Sequence, residues 1–292
     1  MPELPEVQAL AEILDRRLRG RRIVAFTVPS IAALKTYDPP VSALAGREVT
    51  GVQRHGKFLD IEASDAAAGG APLHLIAHLS RAGWVRWRER ASDARLVQRG
   101  PLAARLRFDD GAALDITEMG TEKRLALHVV RDPSDVAGVG RLGVDALDEG
   151  LDLERLRELL RARPGTLKAA LSDQSVIAGV GNAYSDEVLH AARLSPFKAA
   201  QGLRADQVAA LHTALVEILG AALVRAQGLA AGQLKDQKRS SMRVHGRTGS
   251  PCPVCGATVR EVAFATKSLQ YCPTCQTGGR PLADRRLSRL LK

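Results

Sequence analysis

The sequence is poor in aromatic residues and contains no long hydrophobic run. Phe, Trp and Tyr make up 3% of the 292 residues, and the spacing of Trp84 and Trp87 does not require a shared sheet face, so we do not expect a base-stacking platform. No apolar run approaches the roughly 18 residues of a membrane span. The N-terminus MPELPEVQ has neither a basic leader nor an apolar signal stretch. These absences predict a cytoplasmic protein and exclude the membrane as a partner through a spanning helix.

Cysteine is also scarce, and all four cysteines lie in one short segment. The pairs Cys252/Cys255 and Cys272/Cys275 each have two intervening residues, and sixteen residues separate the pairs, which is typical of a tetrahedral zinc site. Four thiolates close the coordination shell, so we expect one structural Zn2+ on a β-hairpin. Free or disulfide-bonded cysteines are the alternative, and a reducing cytosol disfavours the disulfides.

The positive charge is concentrated at the C-terminus. The net charge is +10, and residues 233–292 carry +9 of it, from twelve Lys or Arg and three acids. Such basicity favours a polyanionic partner, either nucleic acid or an anionic membrane surface. A solvated basic tail that serves solubility is the alternative.

Hydrophobic periodicity divides the chain into several parts. The hydrophobic and charged fractions, 45% and 25%, exclude wholesale disorder. A leading amphipathic helix and short β-rich runs predict a sandwich-like or barrel-like domain over 1–131. A Gly- and Asp-rich linker over 132–150 precedes a helical domain over 151–232, and the cysteine module with its basic extension occupies 233–292. We therefore expect an α+β multidomain fold.

The extreme N-terminus has two interpretations. Pro5 and Glu6 are typical of a well-made helix start. Alternatively, removal of Met1 would expose a secondary amine on Pro2; an α-amino group has a pKa of about 7.7–8.0, which leaves it partly uncharged and nucleophilic. Glu3 could then transfer protons.

Two further features are weak on their own. Gly179-Val180-Gly181-Asn182 could place helix-start amides against a phosphate, although a structural turn explains the same glycines. Lys57 opens a strand and would ordinarily lie at the surface. His55, His74 and His78 are expected to be packed or hydrogen-bonded rather than metal ligands.

These features occur together in a known order. PELPEV at the N-terminus, RHGKFL, LGVDAL, GVGNAYSDE and a terminal four-cysteine finger ending in CPTCQ resemble the Fpg/Nei family of bifunctional DNA glycosylases over essentially the whole chain. The resemblance implies an N-terminal β-sandwich with a leading helix, a helix–two-turn–helix domain and a zinc finger whose hairpin contacts DNA. It also implies a monomer that binds double-stranded DNA with damaged bases or abasic sites and is nucleoid-associated when bound.

The resemblance also implies roles for individual residues. Pro2 matches the nucleophile that attacks C1′ of a flipped-out nucleotide, and Glu3 matches the residue that transfers protons. Glu6 matches a second acid that orients the N-terminal region, and Lys57 matches a lysine that holds a DNA phosphate. The implied DNA contacts are Asn182, Lys267, Lys168, Arg81 and Arg124.

The chain departs from the family pattern at the residues that fill the gap left by the flipped base. Arg81 stands where the family has a wedge methionine. Glu122-Lys123-Arg124-Leu125 is the closest match to a DPRRFG-like segment, and it has no Phe to insert. Lys267 stands where the finger usually has an arginine. A lysine keeps the charge but cannot form the bidentate hydrogen bonds of a guanidinium. These changes leave open the lesion preference, and they also allow a noncatalytic damaged-DNA-binding protein on the same scaffold.

Overall fold

The computed structural model describes residues 1–65, 69–91, 100–264 and 267–283. The chain forms two compact units, Met1–Arg141 with Gln227–Leu234 and Leu142–Ala226 with Lys235–Lys292. The basic extension predicted after the last cysteine lies outside the described residues from position 284 onward.

The first unit is a β-sandwich with a leading helix. Two four-stranded antiparallel sheets have the strand orders β2-β3-β4-β8 and β1-β6-β7-β5. The elements are α1 (Leu4–Leu18), β1 (Ile23–Thr27), β2 (Glu48–His55), β3 (Phe58–Ser64), β4 (Leu73–His78), β5 (Gly83–Arg88), β6 (Leu102–Phe108), β7 (Ala113–Glu118) and β8 (Ala126–Val130).

Alternation along the strands decides which side chains form the core of this sandwich. In β3, Leu59, Ile61 and Ala63 are buried, as the period of two predicts. The intervening Asp60 is also buried, but it accepts hydrogen bonds from the rings of His55 and His74 at 2.9 and 3.0 Å. The expectation that these histidines are hydrogen-bonded is therefore confirmed.

The second unit combines helices with a terminal hairpin. Predicted N-caps are present, since Asp152 accepts the Arg155 N–H and Thr166 accepts the Ala169 N–H. The elements are β9 (Val144–Asp145), α2 (Leu153–Ala162), α3 (Leu167–Ser172), β10 (Ile177–Ala178), α4 (Asn182–Ala191), α5 (Ala205–Ala226), α6 (Leu234–Ser241), β11 (Arg260–Ala263), β12 (Ser268–Tyr271) and α7 (Pro273–Thr277).

Helix α5 is long and largely apolar. It has 22 residues and a mean hydropathy of 1.7 over its most apolar stretch, so it meets the length and composition of a membrane span. One face of α5, with Val208, Leu211, Leu215 and Leu219, is nevertheless buried inside the second unit. Such burial is typical of the core helix of a globular domain.

Candidate active site, nucleic-acid interface and zinc centre

The start of α1 positions the predicted catalytic residues. Pro2 is buried, and Glu3 and Glu6 are only 2% and 3% exposed. The Glu6 carboxylate accepts the Glu3 backbone N–H at 2.8 Å, where the positive end of the helix dipole favours an anion. Glu6 thus fixes the backbone next to Pro2.

The packing of α1 against β2 brings Lys57 toward the same region. Asp15 accepts the Val52 N–H, and Gln8 accepts from the Arg54 guanidinium, so the N-terminal end of α1 extends toward the turn between β2 and β3. Lys57 occupies this turn and is 6% exposed. Pro2, Glu3 and Lys57 therefore lie at the same end of the first unit.

The strand β4 ends beside this lysine. Phe58 contacts the ring of His78 at a centroid distance of 4.8 Å. Burial, together with the charges of Lys57 and His128, lowers the pKa of His78 to about 4. The imidazole is therefore neutral at neutral pH.

The depressed pKa of His78 predicts a loss of stability in mild acid. The unfolded chain takes up a proton on this ring at a pH near 6.5, whereas the folded chain resists protonation down to about pH 4. Its contribution is thus complete above pH 6.5 and is lost as pH falls toward 4, by about 3 kcal/mol. We expect His78→Gln to remove this part of the pH dependence, as measured by urea unfolding between pH 4 and 7.

The raised pKa of His74, caused chiefly by its hydrogen bond to Asp60, acts in the opposite direction. Its contribution is present below pH 6.5 and declines as pH rises through the folded-state value. His74→Gln is therefore the matched comparison. An unchanged acid slope in His78→Gln would contradict the account of His78.

Two loops beyond β4 and β7 form an exposed tip, which we define as Arg81 and Met119. The Met119 N–H donates to the Ala82 carbonyl at 3.1 Å, and the Met119 side chain is 56% exposed. Arg81 is exposed and follows Ser80, whose φ is 52°. The tip therefore presents a cationic and an apolar side chain from adjacent loops.

The loop after β7 is held from beneath by Glu118. This buried carboxylate accepts the N–H groups of Arg124 and Leu125 at 2.6 and 2.9 Å. Leu125 is 2% exposed and packs under Gly83. It lies where the family segment has an inserting Phe, but its burial makes it a core residue, whereas the Arg124 side chain remains at the surface.

In the second unit, three predicted DNA contacts line one cavity. Lys168, Asn182 and Lys267 surround a space of about 370 Å³. The Asn182 side-chain amide donates to the Ser268 carbonyl at 2.7 Å, which ties the start of α4 to β12. The sequence did not predict Phe197 and Phe264, whose rings meet edge to face at the same cavity. The available signal was Phe264 itself, an apolar residue close to Lys267 in a basic hairpin.

Lys168 differs from the expectation of a free phosphate ligand. Its ammonium donates to the Asn182 carbonyl, the Ser185 hydroxyl and the Asp186 carboxylate at 2.6, 2.8 and 2.6 Å. Three N–H donors are all that an ammonium has. Lys168 therefore supports the backbone at Asn182 in this structure, and its contact with DNA stays a prediction.

Two acids inside α4 organise the second unit, and sequence reasoning missed both. Asp186 accepts from Lys168, from the His245 ring at 2.7 Å and from the Gln270 N–H. Glu187 accepts three consecutive backbone N–H groups, from residues 243–245, at 2.8–2.9 Å. The available signal was a pair of adjacent carboxylates in a helix that also carries Val188 and Leu189, since buried charges require partners.

The four cysteines come together as the spacing predicts. The sulfurs of Cys255 and Cys272 are 3.4 Å apart, and those of Cys252 and Cys275 are 3.9 Å apart. Zn–S bonds of 2.3 Å in a tetrahedron place sulfurs about 3.8 Å apart. A backbone hydrogen bond from Ala257 is the main cause that lowers the pKa of Cys255 to about 7, which favours the thiolate. The donor set fits one structural zinc.

Three family models match the chain in succession. Residues 1–122 match the N-terminal domain of formamidopyrimidine-DNA glycosylase, residues 142–232 match the H2TH domain of that enzyme, and residues 249–278 match a zinc finger found in FPG and IleRS. The fold and site thus define a DNA glycosylase with a β-sandwich, a helix–two-turn–helix domain and a zinc finger.

Relatives along the full length agree with this class. Formamidopyrimidine-DNA glycosylase of Corynebacterium aurimucosum is 33% identical over 96% of this chain and 97% of its own length. An uncharacterized formamidopyrimidine-DNA glycosylase-like protein of Mycobacterium tuberculosis is 58% identical over 52% of this chain and 94% of its own. MutM (Fpg) of Thermus thermophilus superimposes with a TM-score of 0.78, 30% identity, and coverage of 96% and 100%. The chain belongs to the formamidopyrimidine-DNA glycosylase family.

Proposed function

We propose that this protein removes oxidised bases from double-stranded DNA and cleaves the resulting abasic site, with Pro2 as the nucleophile. The observation that carries this proposal is the buried start of α1, where Glu6 fixes the backbone beside Pro2 and Glu3. A MutM structure with 26% identity and a TM-score of 0.81 is a complex with DNA containing carbocyclic 8-oxo-G, which supports an oxidised base as the substrate.

The chemistry requires removal of Met1, because an amide nitrogen at Pro2 is not nucleophilic. The free amine then bonds to C1′ and loses its proton, while the bond from C1′ to the base breaks and the base leaves with a proton. Glu3 protonates the sugar ring oxygen as the C1′–O bond opens, which leaves an iminium. Loss of a proton from C2′ then expels the 3′ phosphate, and hydrolysis of the iminium frees Pro2.

The zinc would provide structure rather than a reacting centre. Four cysteine thiolates fill its coordination shell and leave no position for substrate. When bound, it stabilises the fold of the segment that carries β11 and β12. The β11–β12 hairpin then presents Lys267 at the cavity beside Asn182.

Excision assays on a panel of duplexes test the proposed function. The panel contains an oxidised purine, an oxidised pyrimidine, an abasic site and an undamaged control. Base release or strand cleavage on a damaged duplex is the expected result. Binding to abasic DNA without cleavage on any of them would instead favour a noncatalytic damage-binding protein, an option motivated by Arg81 at the exposed tip and by the burial of Leu125.

Lys267 is expected to contribute to binding through charge. Lys267 is exposed at the cavity that Asn182 lines, so Lys267→Ala should weaken binding to all duplexes and reduce the slope of log affinity against log salt by about 1. Fluorescence anisotropy across a salt series measures this slope. Arg161→Ala, at an exposed position on α2, is the control; equal slopes in both variants would remove Lys267 from the phosphate contacts.

Met119 is expected to act when a nucleotide leaves the stack. An apolar wedge can fill a disrupted base step, and Met119 is exposed beside Arg81 at the tip. Met119→Ala should slow base excision from a paired lesion about tenfold, because the disrupted base step would remain unfilled. The same change should not affect trapping on single-stranded abasic DNA. Ile31→Ala, at another exposed apolar position, is the control; equal excision rates would contradict a wedge role.

The remaining expectations about organisation are part of the proposal. We infer that the protein acts in the cytoplasm as a monomer and associates with the nucleoid when bound to DNA. The division into residues 1–131, 132–150, 151–232 and 233–292 is likewise proposed as a functional division into catalytic domain, linker, helical domain and zinc finger.

A further inference from the structure

Five donor atoms, rather than four, gather at the zinc centre. The Nε2 atom of His190 lies 3.2 Å from the Cys252 sulfur. The donor atoms of His190, Cys252, Cys272 and Cys275 all lie within 4.8 Å of one another, and the Cys255 sulfur is 3.4 Å from that of Cys272. A closed structural zinc site has four ligands, so one of these groups has a different task.

The sulfurs account for the whole coordination shell. The two C-x2-C pairs lie within one zinc-finger segment, residues 249–278. His190 comes from α4 instead, more than sixty positions before Cys252. We propose that His190 lies outside the shell and that its Nε2–H donates a hydrogen bond to the Cys252 thiolate.

The surroundings of His190 support this assignment. The residue is 2% exposed, so water does not compete for its ring nitrogens. In the part of the chain that the structure describes, Nδ1 has no hydrogen-bond partner. The Cys252 sulfur is therefore the polar contact that orients the ring, and a zinc-bound thiolate requires the tautomer with the proton on Nε2.

Charge explains why such a donor matters. Zn2+ with four thiolates would carry a net charge of −2 beside the buried Cys252 and Cys272, and N–H donors would disperse that charge. The Cys275 N–H is directed at the Cys272 sulfur, and Ala257 provides a backbone hydrogen bond to Cys255. His190 provides the corresponding hydrogen bond to Cys252, and it connects the zinc centre to the helix that begins at Asn182.

Zinc affinity of the full chain tests the proposal without reference to DNA or to excision. His190→Phe keeps an aromatic ring but removes the donor, and should lower zinc affinity about tenfold or more in competition with a chelator. His190→Gln, which keeps an N–H donor, should lose less. His212→Phe is the matched control, because His212 bonds the Leu151 carbonyl in the same unit, away from the cysteines.

Cobalt substitution separates an outer donor from a ligand. The Co2+-loaded wild type and His190→Phe should both show the ligand-field bands of a four-thiolate site. A wild-type spectrum of three sulfurs and one nitrogen, which changes in His190→Phe, would overturn the proposal by making His190 a ligand. Equal zinc affinities for His190→Phe and His212→Phe would overturn it by making His190 a packing residue. Zinc affinity and the cobalt spectrum can both be measured even if the protein excises no base.

Discussion

A chain whose Pro2 nitrogen is free is expected to form a covalent adduct with abasic-site DNA in the presence of borohydride, whereas the same chain with any residue ahead of Pro2 should form none. Only a free amine can give the iminium that borohydride reduces. Blocking that nitrogen should therefore lower lyase activity to background, the largest effect expected from any single change. Gel analysis of the trapped complex measures the result.

The comparison is best made within one preparation. A removable N-terminal tag that leaves Pro2 as the first residue gives the blocked chain before cleavage and the free chain after it, with the sequence from Pro2 onward unchanged. Glu3→Gln in the free chain should slow base release about 10²–10⁴-fold, the usual contribution of general acid–base catalysis. An adduct of equal yield before cleavage would place the nucleophile elsewhere.

Asp186→Asn is expected to produce the second large effect, a loss of about 3–5 kcal/mol in the free energy of unfolding. The Asp186 side chain is fully buried and pairs with Lys168, whose side chain is 12% exposed. An amide removes the negative charge but leaves the ammonium in place, with His245 and Gln270 also losing a carboxylate acceptor. Urea unfolding of the full chain would show the second unit unfolding at lower denaturant.

Asp206→Asn provides the matched control. Asp206 pairs with Arg204, but both side chains are about two-thirds exposed, at 66% and 67%, so solvent screens the pair and the change should cost far less stability than Asp186→Asn. Similar losses in the two variants would show that the buried pair between α3 and α4 is no more important than a surface pair.

Local signals in the sequence predicted much of this structure. The amphipathic spacing of α1, the alternation in β3 and the caps at Asp152 and Thr166 depend on neighbours within a few residues, and all are present. The spacing of the paired cysteines also predicted that their four sulfurs would come together. Resemblance in motif order then identified the family and the fold, which single motifs did not.

Contacts between distant parts of the chain could not be predicted in the same way. The sequence alone predicts Lys168 as a surface cation. Only the packing of α3 against α4 shows that its ammonium donates hydrogen bonds to Ser185 and Asp186. Leu125 matched an inserting residue by register, but its burial under Gly83 depends on the packing of two loops. His190 has no sequence motif, because only the fold brings α4 to Cys252.

The hydrogen bond from the Glu3 backbone N–H to the Glu6 carboxylate bears on the processing of the N-terminus. Neither residue belongs to the peptide bond between Met1 and Pro2, so removal of the methionine leaves the hydrogen bond in place. We therefore expect processing to change the reactivity of the Pro2 nitrogen without loss of the hydrogen bond that fixes the backbone beside it.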